Sequence, residues 1–521
     1  MSPAKQVTSY WPFGLLLVVT FFIYGRTINY DFVWDDERLH LSNNPALVEG
    51  KLLQFWQKPY EGLYIPVSYT AWGLLYKVAP KDEQGQLKPQ IFHAANILLH
   101  TLNGLLVFLL IRLFVPKWSA AALGAALFML HPLQVESVVW VSEFRGLLAT
   151  AFALGALYAY WGPPHDQKVW AKHYVLPAVL FVLALLSKPS VVVLPVMVFI
   201  ADVMLLHKPW KTSAVVALVG IVLSLPIIYI TSISQPADNM AFVAPLWSRP
   251  LLALDALNFY LMKLFAPFNL SASYGRTPQH LIDVNFIKPV LIMPILVGGL
   301  FAFFYKRARP FLACLLLFAV AFATVSGVVP YYFQKFSNVA DRYVYLSMFP
   351  AGLALGYLIN RVGRSAVLGG TLLVAFFAGV TFLQVPVWAN EVSLWNNAIS
   401  RFPEQALPYN NRGVAFFDQR RYELAITDYT KALSLDPKYA SAYNNRGNAL
   451  SLLSRFKEAL PDYDKAIELK PDYGQAYYNR SQTYANMGQY DKAYSDLVKS
   501  NQLGFEANPA YVQQLKQVMG M

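Results

Sequence analysis

Apolar segments that recur along most of the chain limit its fold more than any other feature. Runs of roughly 17–25 apolar residues follow one another between residues 10 and 385, and a helix of that length crosses the hydrocarbon core of a bilayer. Of the 521 residues, 56% are hydrophobic and only 14% are charged. The sequence therefore predicts an all-α, polytopic membrane protein.

Basic residues between the apolar runs predict how the helices are oriented. The short loops that contain Lys117, Lys208 and Arg361 fall on one side, which we expect to be cytoplasmic together with the N-terminus. Much of the net charge of +12 belongs to such loops, so we expect no nucleic-acid partner. Two long loops, about residues 29–91 and 232–285, would then lie outside. We predict about eleven spans, at residues 10–28, 92–114, 119–133, 146–161, 173–187, 190–206, 213–231, 286–305, 311–329, 344–360 and 365–385.

One apolar run, residues 251–268, does not fit this alternation. It contains Asp255 and Lys263, and counting it as a span would reverse the charge pattern after it. We expect it to form an interfacial helix within the second long loop, because an amphipathic helix is stable at the membrane surface.

An internal repeat follows the last predicted span. Asn411-Arg412-Gly413 recurs as Asn445-Arg446-Gly447 and Asn479-Arg480-Ser481, at a spacing of 34 residues. That period, with small residues at a helix crossing and a closing proline, is typical of tetratricopeptide repeats. We therefore predict a membrane domain at 1–387 and a repeat domain at 388–521. The repeat domain divides into a partial repeat 388–405, repeats 406–439, 440–473 and 474–507, and a terminal helix 508–521.

Three consecutive acids, Asp35, Asp36 and Glu37, lie just after the first apolar run. Adjacent carboxylates can divide the work of catalysis, since one can accept a proton while the other accepts a hydrogen bond or binds a cation. A solvated interfacial turn is the structural alternative, because acids also favour helix N-termini.

Further polar groups interrupt apolar stretches on the same predicted outer side. Ionisable groups at membrane depth are costly and tend to mark sites or pathways, although each can also be a polar cap, a snorkelling side chain or part of an aromatic belt. Arginine and lysine among them could bind a phosphate. The candidates are His131, Glu136, Glu143, Arg145, Lys188, Arg342 and Tyr345.

Taken in order, these motifs and the repeats resemble the transmembrane and tetratricopeptide-repeat-containing (TMTC) O-mannosyltransferases and their bacterial relatives. The resemblance covers nearly the whole chain and rests on Asp35-Asp36, His131-Pro132, Glu136, Arg145, Ser187-Lys188 and Asp341-Arg342-Tyr343-Val344-Tyr345. It implies a glycosyltransferase of the GT-C fold with eleven spans. Such an enzyme takes sugar from a polyprenyl-phosphate carrier on the non-cytoplasmic face.

The resemblance also implies roles for the candidate residues. Asp35 or Asp36 would be the base that deprotonates the acceptor hydroxyl, and displacement at the anomeric carbon would invert its configuration. A divalent cation, if one is needed, would bind Asp35 or Asp36. The lipid phosphate would be held by Arg342, Lys188, Arg145 and Tyr345. The sugar or acceptor pocket would be lined by His131, Glu136, Glu143 and Glu37.

The repeats suggest an acceptor-binding role of their own. Asn411, Asn445 and Asn479 would line the concave groove and could bond an extended peptide backbone, which resembles the asparagine ladder of the cytosolic O-linked GlcNAc transferase. Alternatively, these asparagines are only solvated groove residues, or the repeats dock on the outer loops of the same chain.

Three functions are therefore compared. The first is a polyprenyl-phosphate-sugar-dependent transferase acting on Ser or Thr of an extracytoplasmic protein. The second is a transferase that modifies a glycan or a lipid, and the third is a non-catalytic membrane scaffold that recruits partners through its repeats. Short tails and a compact repeat arm favour a bacterial inner membrane with periplasmic repeats over the endoplasmic reticulum.

Overall fold

The computed structural model describes residues 11–36, 40–41, 44–162, 174–234, 243–283 and 305–521. Within these ranges the regular structure is helical, and β-pairing is limited to the isolated bridges Tyr60–Leu63 and Lys81–Leu87. Contacts divide the chain into two compact units, Met1–Asn390 and Glu391–Met521. The division falls close to residue 387, where the composition changes.

The first unit contains long apolar helices and, between them, short helices that carry the polar residues. Its described α-helices are α1 (Trp11–Tyr24), α2 (Pro45–Val48), α3 (Gln54–Gln57), α4 (Pro66–Val78), α5 (Gln90–Phe114), α6 (Trp118–Leu130), α7 (Val135–Val139), α8 (Phe144–Trp161), α9 (Leu176–Ser187), α10 (Leu194–Met204), α11 (Trp210–Ser234), α12 (Arg249–Phe265), α13 (Pro278–Asp283), α14 (Tyr305–Ala321), α15 (Met348–Val362) and α16 (Arg364–Gln384). Short 3-10 segments at Val141–Glu143, Pro189–Val193 and Asp341–Val344 join several of them.

Candidate membrane spans are fewer than the eleven expected. In the part of the chain that the structure describes, three helices are long and apolar enough to cross a bilayer: Gln90–Phe114, Trp210–Ser234 and Arg364–Trp388. A fourth results if the bent pair Trp118–Leu130 and Pro132–Val139, which turns by 51°, forms one broken span. Four more apolar helices are shorter, and the expected span 286–305 lies almost wholly outside the described residues. The count of eleven therefore stays a prediction.

Helices α6 and α15 cross at a pair of glycines, Gly124 and Gly352. A Cβ added to Gly124 would lie 2.5 Å from the carbonyl oxygen of Gly352 and 2.7 Å from Cδ1 of Ile111. In a lipid environment the hydrophobic effect does not bring helices together, so close packing at small residues stabilises their association instead. The Gly124–Gly352 contact thus holds the helix that leads into the bend at His131 against the helix that follows Arg342.

We expect Gly124→Ala to destabilise the first unit by about 1–3 kcal/mol, because the added methyl group would overpack a backbone contact that cannot move aside. Thermal unfolding in detergent measures the effect. Gly369→Ala in α16 is the matched control, since a Cβ there meets no atom within 4 Å. Equal melting temperatures for the two variants would contradict the proposed close contact.

The second unit is an array of paired helices with a regular cross-link. It consists of α17 (Glu391–Arg401), α18 (Ala406–Asp418), α19 (Tyr422–Leu435), α20 (Ala440–Leu452), α21 (Phe456–Leu469), α22 (Gly474–Asn486), α23 (Tyr490–Gln502) and α24 (Pro509–Val518). In each full repeat an arginine of the first helix makes two hydrogen bonds to an aspartate of the second, at 2.7–2.8 Å. The pairs are Arg412–Asp428, Arg446–Asp462 and Arg480–Asp496. Each arginine also bonds the preceding helix, so it links neighbouring repeats.

Candidate active site

Asp36 is buried beneath the chain that leaves α1. Its Oδ2 accepts the N–H of Val33 at 3.1 Å, and its Oδ1 accepts both the N–H and the hydroxyl of Ser142, at 2.7 and 2.6 Å. The residue is fully shielded from solvent. Asp36 therefore joins the loop after α1 to the segment before α8, and its side chain is not accessible to a substrate.

Asp35 differs from its neighbour because its side chain reaches solvent, with 26% of its surface exposed. Its Oδ1 accepts the Ser142 hydroxyl at 3.0 Å, and its Oδ2 lies 3.5 Å from Nε2 of His40. The preceding residue, Trp34, has φ of +64°, a conformation that is uncommon for a bulky side chain. Strain of this kind often occurs at functional sites. The loop therefore turns Asp35 outward and Asp36 inward.

The two carboxyl groups have opposite protonation preferences. Burial, reinforced by the charge of Asp35, raises the pKa of Asp36 to about 8. Burial also acts to raise the pKa of Asp35, but His40, Arg145 and the Ser142 hydroxyl outweigh it and hold that pKa below its usual value. Two adjacent acids with separated pKa values commonly take different roles. Near neutral pH the exposed acid is thus the ionised one.

The pKa of Asp36 predicts a pH-dependent stability. The unfolded chain releases this proton near pH 3.8, whereas the folded protein keeps it up to about pH 8, so the stabilising contribution is complete below pH 3.8 and is lost as pH rises through that window. We expect the free energy of unfolding to fall by at most about 1.4 kcal/mol per pH unit from this group. Thermal unfolding of wild type and Asp36→Asn between pH 5 and 9 measures it, and parallel curves would contradict the prediction.

A second charged cluster adjoins the first, because Glu143 directly follows Ser142. Glu143 is only 1% exposed; its Oε2 accepts Nζ of Lys188 at 2.7 Å, and its Oε1 lies 3.8 Å from Nε of Arg145. Burial alone would raise the pKa of Glu143, but Lys188 and then Arg145 lower it. The side chains of Lys188 and Arg145 are 22% and 15% exposed, so both cations are partly accessible, and the charge of Arg145 also acts on Asp35. A Cβ at Gly146 would lie 2.5 Å from the Glu143 carboxylate, so only glycine leaves room for this cluster.

Arg342 occupies a different environment from the one expected for a phosphate ligand. Its guanidinium donates to Oε1 of Glu136, and its backbone N–H donates to Oε2 of the same carboxylate at 3.1 Å. The side chain is 6% exposed and lies over the rings of Trp34, Trp140, Phe333 and Tyr343, at 4.4–5.7 Å from their centroids. Glu136 and Arg342 thus neutralise each other inside an aromatic layer next to Asp35.

Two other predicted site residues belong neither to the Asp35 cluster nor to the Glu143 cluster. Nδ1 of His131 accepts the N–H of Leu133 and its Nε2 lies 3.0 Å from the carbonyl oxygen of Leu264, so His131 stabilises the bend between α6 and α7. The Tyr345 hydroxyl lies 2.8 Å from Nδ1 of His100 and 3.2 Å from Nδ2 of Asn103, in a buried network away from Lys188. Internal hydrogen bonds occupy both groups. The remaining predicted pocket residue, Glu37, lies outside the described residues.

No metal ligand set is evident in the ranges that the structure describes. Groups of three or more His, Cys, Asp or Glu side chains suited to a cation are absent there. The Asp36 oxygens are already used by three protein donors, which leaves Asp35 as the more accessible ligand of the pair. A cation at either residue stays a prediction.

Ser142 and His40 are the site residues that sequence reasoning missed. Ser142 donates to both carboxylates of the pair, and His40 is the other residue facing Asp35. Serine beside Glu143 and histidine five positions after Asp35 were the available signals, but neither residue type is informative without knowing its partner.

The asparagines of the repeat groove form a chain of amide hydrogen bonds. Asn479 donates to Asn444 at 2.8 Å, Asn444 to Asn445 at 3.4 Å, Asn445 to Asn410 at 3.1 Å, and Asn410 to Asn411 at 3.1 Å. Each donor has used one of its two N–H groups in this chain. The predicted ladder residues therefore link successive repeats. Asn411 and Asn445 are half-buried, whereas Asn479 is buried, so the amides of Asn411 and Asn445 are the ones that a peptide could reach.

Comparison with known proteins identifies the repeats directly. Residues 413–454 match the family described as TPR repeat, and residues 440–473 and 462–494 match families described as tetratricopeptide repeat. The prediction of tetratricopeptide repeats is confirmed. Among solved structures, the Arabidopsis OM64 TPR domain is 25% identical, with a TM-score of 0.21, and the match covers 22% of this chain and 96% of that domain.

Curated relatives extend the similarity to the first unit. Protein O-mannosyl-transferase F38B6.6 of Caenorhabditis elegans is 25% identical over 80% of this chain and 62% of its own length. Protein O-mannosyl-transferase TMTC3 of Mus musculus is 24% identical over 81% of this chain and 50% of its own length. The chain thus spans between half and about three-fifths of these relatives. Its curated relatives are TMTC-type protein O-mannosyl-transferases, and its C-terminal unit consists of tetratricopeptide repeats.

Proposed function

We propose that this chain is a glycosyltransferase that moves a sugar from a polyprenyl-phosphate donor to a Ser or Thr hydroxyl of a protein. One observation carries the proposal: the partly exposed acid Asp35 and the partly exposed cations Arg145 and Lys188 belong to adjoining clusters, which Ser142 and Glu143 join. A base next to a phosphate-binding pair is what transfer from a sugar phosphate to a hydroxyl requires. The O-mannosyl-transferase names of the relatives support the reaction class.

In the proposed reaction, Asp35 accepts the proton of the acceptor hydroxyl as its oxygen attacks the anomeric carbon. The bond from that carbon to the phosphate oxygen breaks, and its electron pair leaves with the lipid phosphate. Attack from the face opposite the leaving group inverts the anomeric configuration. Lys188 and Arg145 stabilise the negative charge that grows on the phosphate, because charge-assisted hydrogen bonds strengthen as charge develops.

The neighbouring groups would keep this arrangement in place. Asp36 anchors the loop through Val33 and Ser142, and Glu143 holds the two cations together. Arg342 would stabilise the neighbouring loop through its ion pair with Glu136 and its contacts with the rings of the aromatic layer. It would not bind the phosphate. Of the four residues predicted to hold the phosphate, the proposal thus keeps Lys188 and Arg145 and leaves out Arg342 and Tyr345.

Location and acceptor binding follow from the same proposal. The site would face the non-cytoplasmic side, where a polyprenyl-phosphate sugar and a secreted acceptor meet. In a bacterial inner membrane this is the periplasmic side, and the basic short loops would then lie on the cytoplasmic side. The repeats would present an extended segment of the acceptor protein, using the remaining amide N–H groups of the groove. Apolar helices and the repeats support a membrane protein that binds other proteins.

The test is sugar transfer by the purified full chain in detergent. Radiolabelled polyprenyl-phosphate mannose, the same carrier with other hexoses, and GDP-mannose as the control donor would be offered to a Ser/Thr-rich peptide and to its Ala-substituted version. We expect transfer only from a lipid-linked donor and only to the hydroxyl-bearing peptide. Transfer to a glycan or lipid would correct the acceptor, and release of sugar from no donor would support the scaffold.

A further inference from the structure

A buried histidine stands directly behind the exposed acid of the pair. His40 is 1% exposed, its Nε2 lies 3.5 Å from Oδ2 of Asp35, and its Nδ1 lies 3.2 Å from the hydroxyl of Tyr69. The three side chains form a line from the outer loop to α4. His40 and Tyr69 are each 1% exposed, so neither can touch a substrate.

The line is held rigidly by aromatic packing. The imidazole of His40 stacks on Trp72, with ring centroids 5.5 Å apart and 22° between planes. Tyr69 stacks on Phe55 at 4.4 Å and meets the edge of Tyr60 at 5.6 Å. Buried rings in well-packed surroundings have little rotational freedom. The hydroxyl of Tyr69 is therefore fixed at the Nδ1 side of the histidine.

This geometry determines which nitrogen of His40 carries the proton. Nε2 of His40 lies 3.5 Å from the carboxylate of Asp35, which when ionised can only accept a hydrogen bond. The Tyr69 hydroxyl can donate or accept, so it can serve as the donor to an unprotonated Nδ1 of the neutral ring. The proton of a neutral imidazole is consequently on Nε2, which faces Asp35.

We propose that His40, held at Nδ1 by Tyr69, is a positioning residue that donates its Nε2–H to Asp35 and orients that carboxylate toward the acceptor hydroxyl; the inference rests on the proposed function. The Ser142 hydroxyl, whose single proton is shared with Asp36, faces Oδ1 of Asp35, and His40 faces Oδ2, so each oxygen of the base has a donor partner. The distance of 3.5 Å is long for a hydrogen bond, and such contacts often tighten when substrate binds. His40 acts through orientation and does not itself exchange a proton.

The experiment compares kcat and KM of four variants with wild type. His40→Leu removes the donor, His40→Gln places an amide N–H near the position of Nε2, and Tyr69→Phe removes the hydroxyl that contacts Nδ1. His100→Gln is the matched control, because His100 is also buried and lies 2.8 Å from a tyrosine hydroxyl, that of Tyr345, with no contact to Asp35. Thermal unfolding of each variant corrects the rates for loss of folded protein.

We expect His40→Leu to lower kcat by about 10–100-fold, as loss of an orienting partner does at other sites, while both KM values change less than about threefold. His40→Gln should recover most of that loss, and Tyr69→Phe should fall between the two. His100→Gln should change stability without changing kcat. A merely structural role for His40 would lower the melting temperature alone, and glutamine would then give no rescue of kcat.

A second measurement does not depend on activity. In protein labelled with ¹⁵N-histidine, the signals lost in His40→Gln identify His40, and we expect them to show protonated Nε2 and unprotonated Nδ1. Protonated Nδ1 would overturn the inference. Full activity of His40→Leu, in a series where Asp35→Asn is inactive, would overturn it while the proposed function stands. Absence of transfer by wild type from every donor would instead overturn the proposed function, and the nitrogen spectrum would still decide the tautomer.

Discussion

Asp35→Asn should lower sugar transfer by about 10²–10⁴-fold, the range expected when a general base is removed. The amide has the same shape, and its oxygen can still accept the Ser142 hydroxyl that now lies 3.0 Å from Asp35. The folded structure should therefore survive, but no oxygen remains that can take the acceptor proton. Initial rates at saturating donor and peptide, with melting temperatures measured in parallel, test this result.

Asp36→Asn is the matched control at the adjacent position. The hydroxyl oxygen of the protonated carboxyl that burial favours can still accept a hydrogen bond, whereas an amide nitrogen can only donate. The amide nitrogen of Asn would therefore oppose either the N–H of Val33 or the donors of Ser142 in a buried site. We expect a loss of stability of about 1–3 kcal/mol from unsatisfied groups, with measurable transfer by the remaining folded protein. The reverse result, an inactive Asp36→Asn and an active Asp35→Asn, would make Asp36 the base. Activity in both variants would move the base elsewhere, with Glu136 and Glu37 as the next candidates.

Lys188→Met should raise the KM for the lipid-linked donor and lower kcat, by about 10–100-fold in kcat/KM. Methionine keeps much of the side-chain volume but cannot hold the phosphate or the negative charge that forms on it. The same substitution leaves Glu143, which is 1% exposed, without the lysine 2.7 Å away, so stability should fall as well. Donor titrations at fixed peptide concentration separate the KM effect from the kcat effect.

Lys208→Met separates loss of an ion pair from loss of a phosphate ligand. Nζ of Lys208 lies 3.0 Å from a buried acid, Asp202, which also accepts hydrogen bonds from Tyr160 and Trp161. Both lysine variants therefore remove a partner from a buried carboxylate, but only Lys188 belongs to the cluster that adjoins Asp35 through Glu143 and Ser142. We expect Lys208→Met to melt at lower temperature with unchanged donor KM. Equal KM values for the two variants would remove Lys188 from the phosphate site.

Some properties of this protein can be predicted from its sequence because they depend on local sequence patterns. Apolar run length predicts membrane helices, and a spacing of 34 residues with recurring Asn-Arg-Gly predicts tetratricopeptide repeats, since both patterns are written in consecutive residues. The short segments between apolar runs that contain Asp35, Glu143 and Lys188 can also be recognised, because ionisable groups are rare among apolar runs.

The tertiary structure alone decided the role that each of these groups can have. Asp35 and Asp36 are neighbours in sequence, yet one reaches solvent and the other is sealed by Val33 and Ser142. In the sequence Arg342 has no evident partner, whereas in the structure it pairs with Glu136, which lies 206 positions earlier in the chain. The exposure, the ion pairs and the pKa of each side chain depend on which distant segments pack together. The sequence alone does not give the spatial distances between those segments.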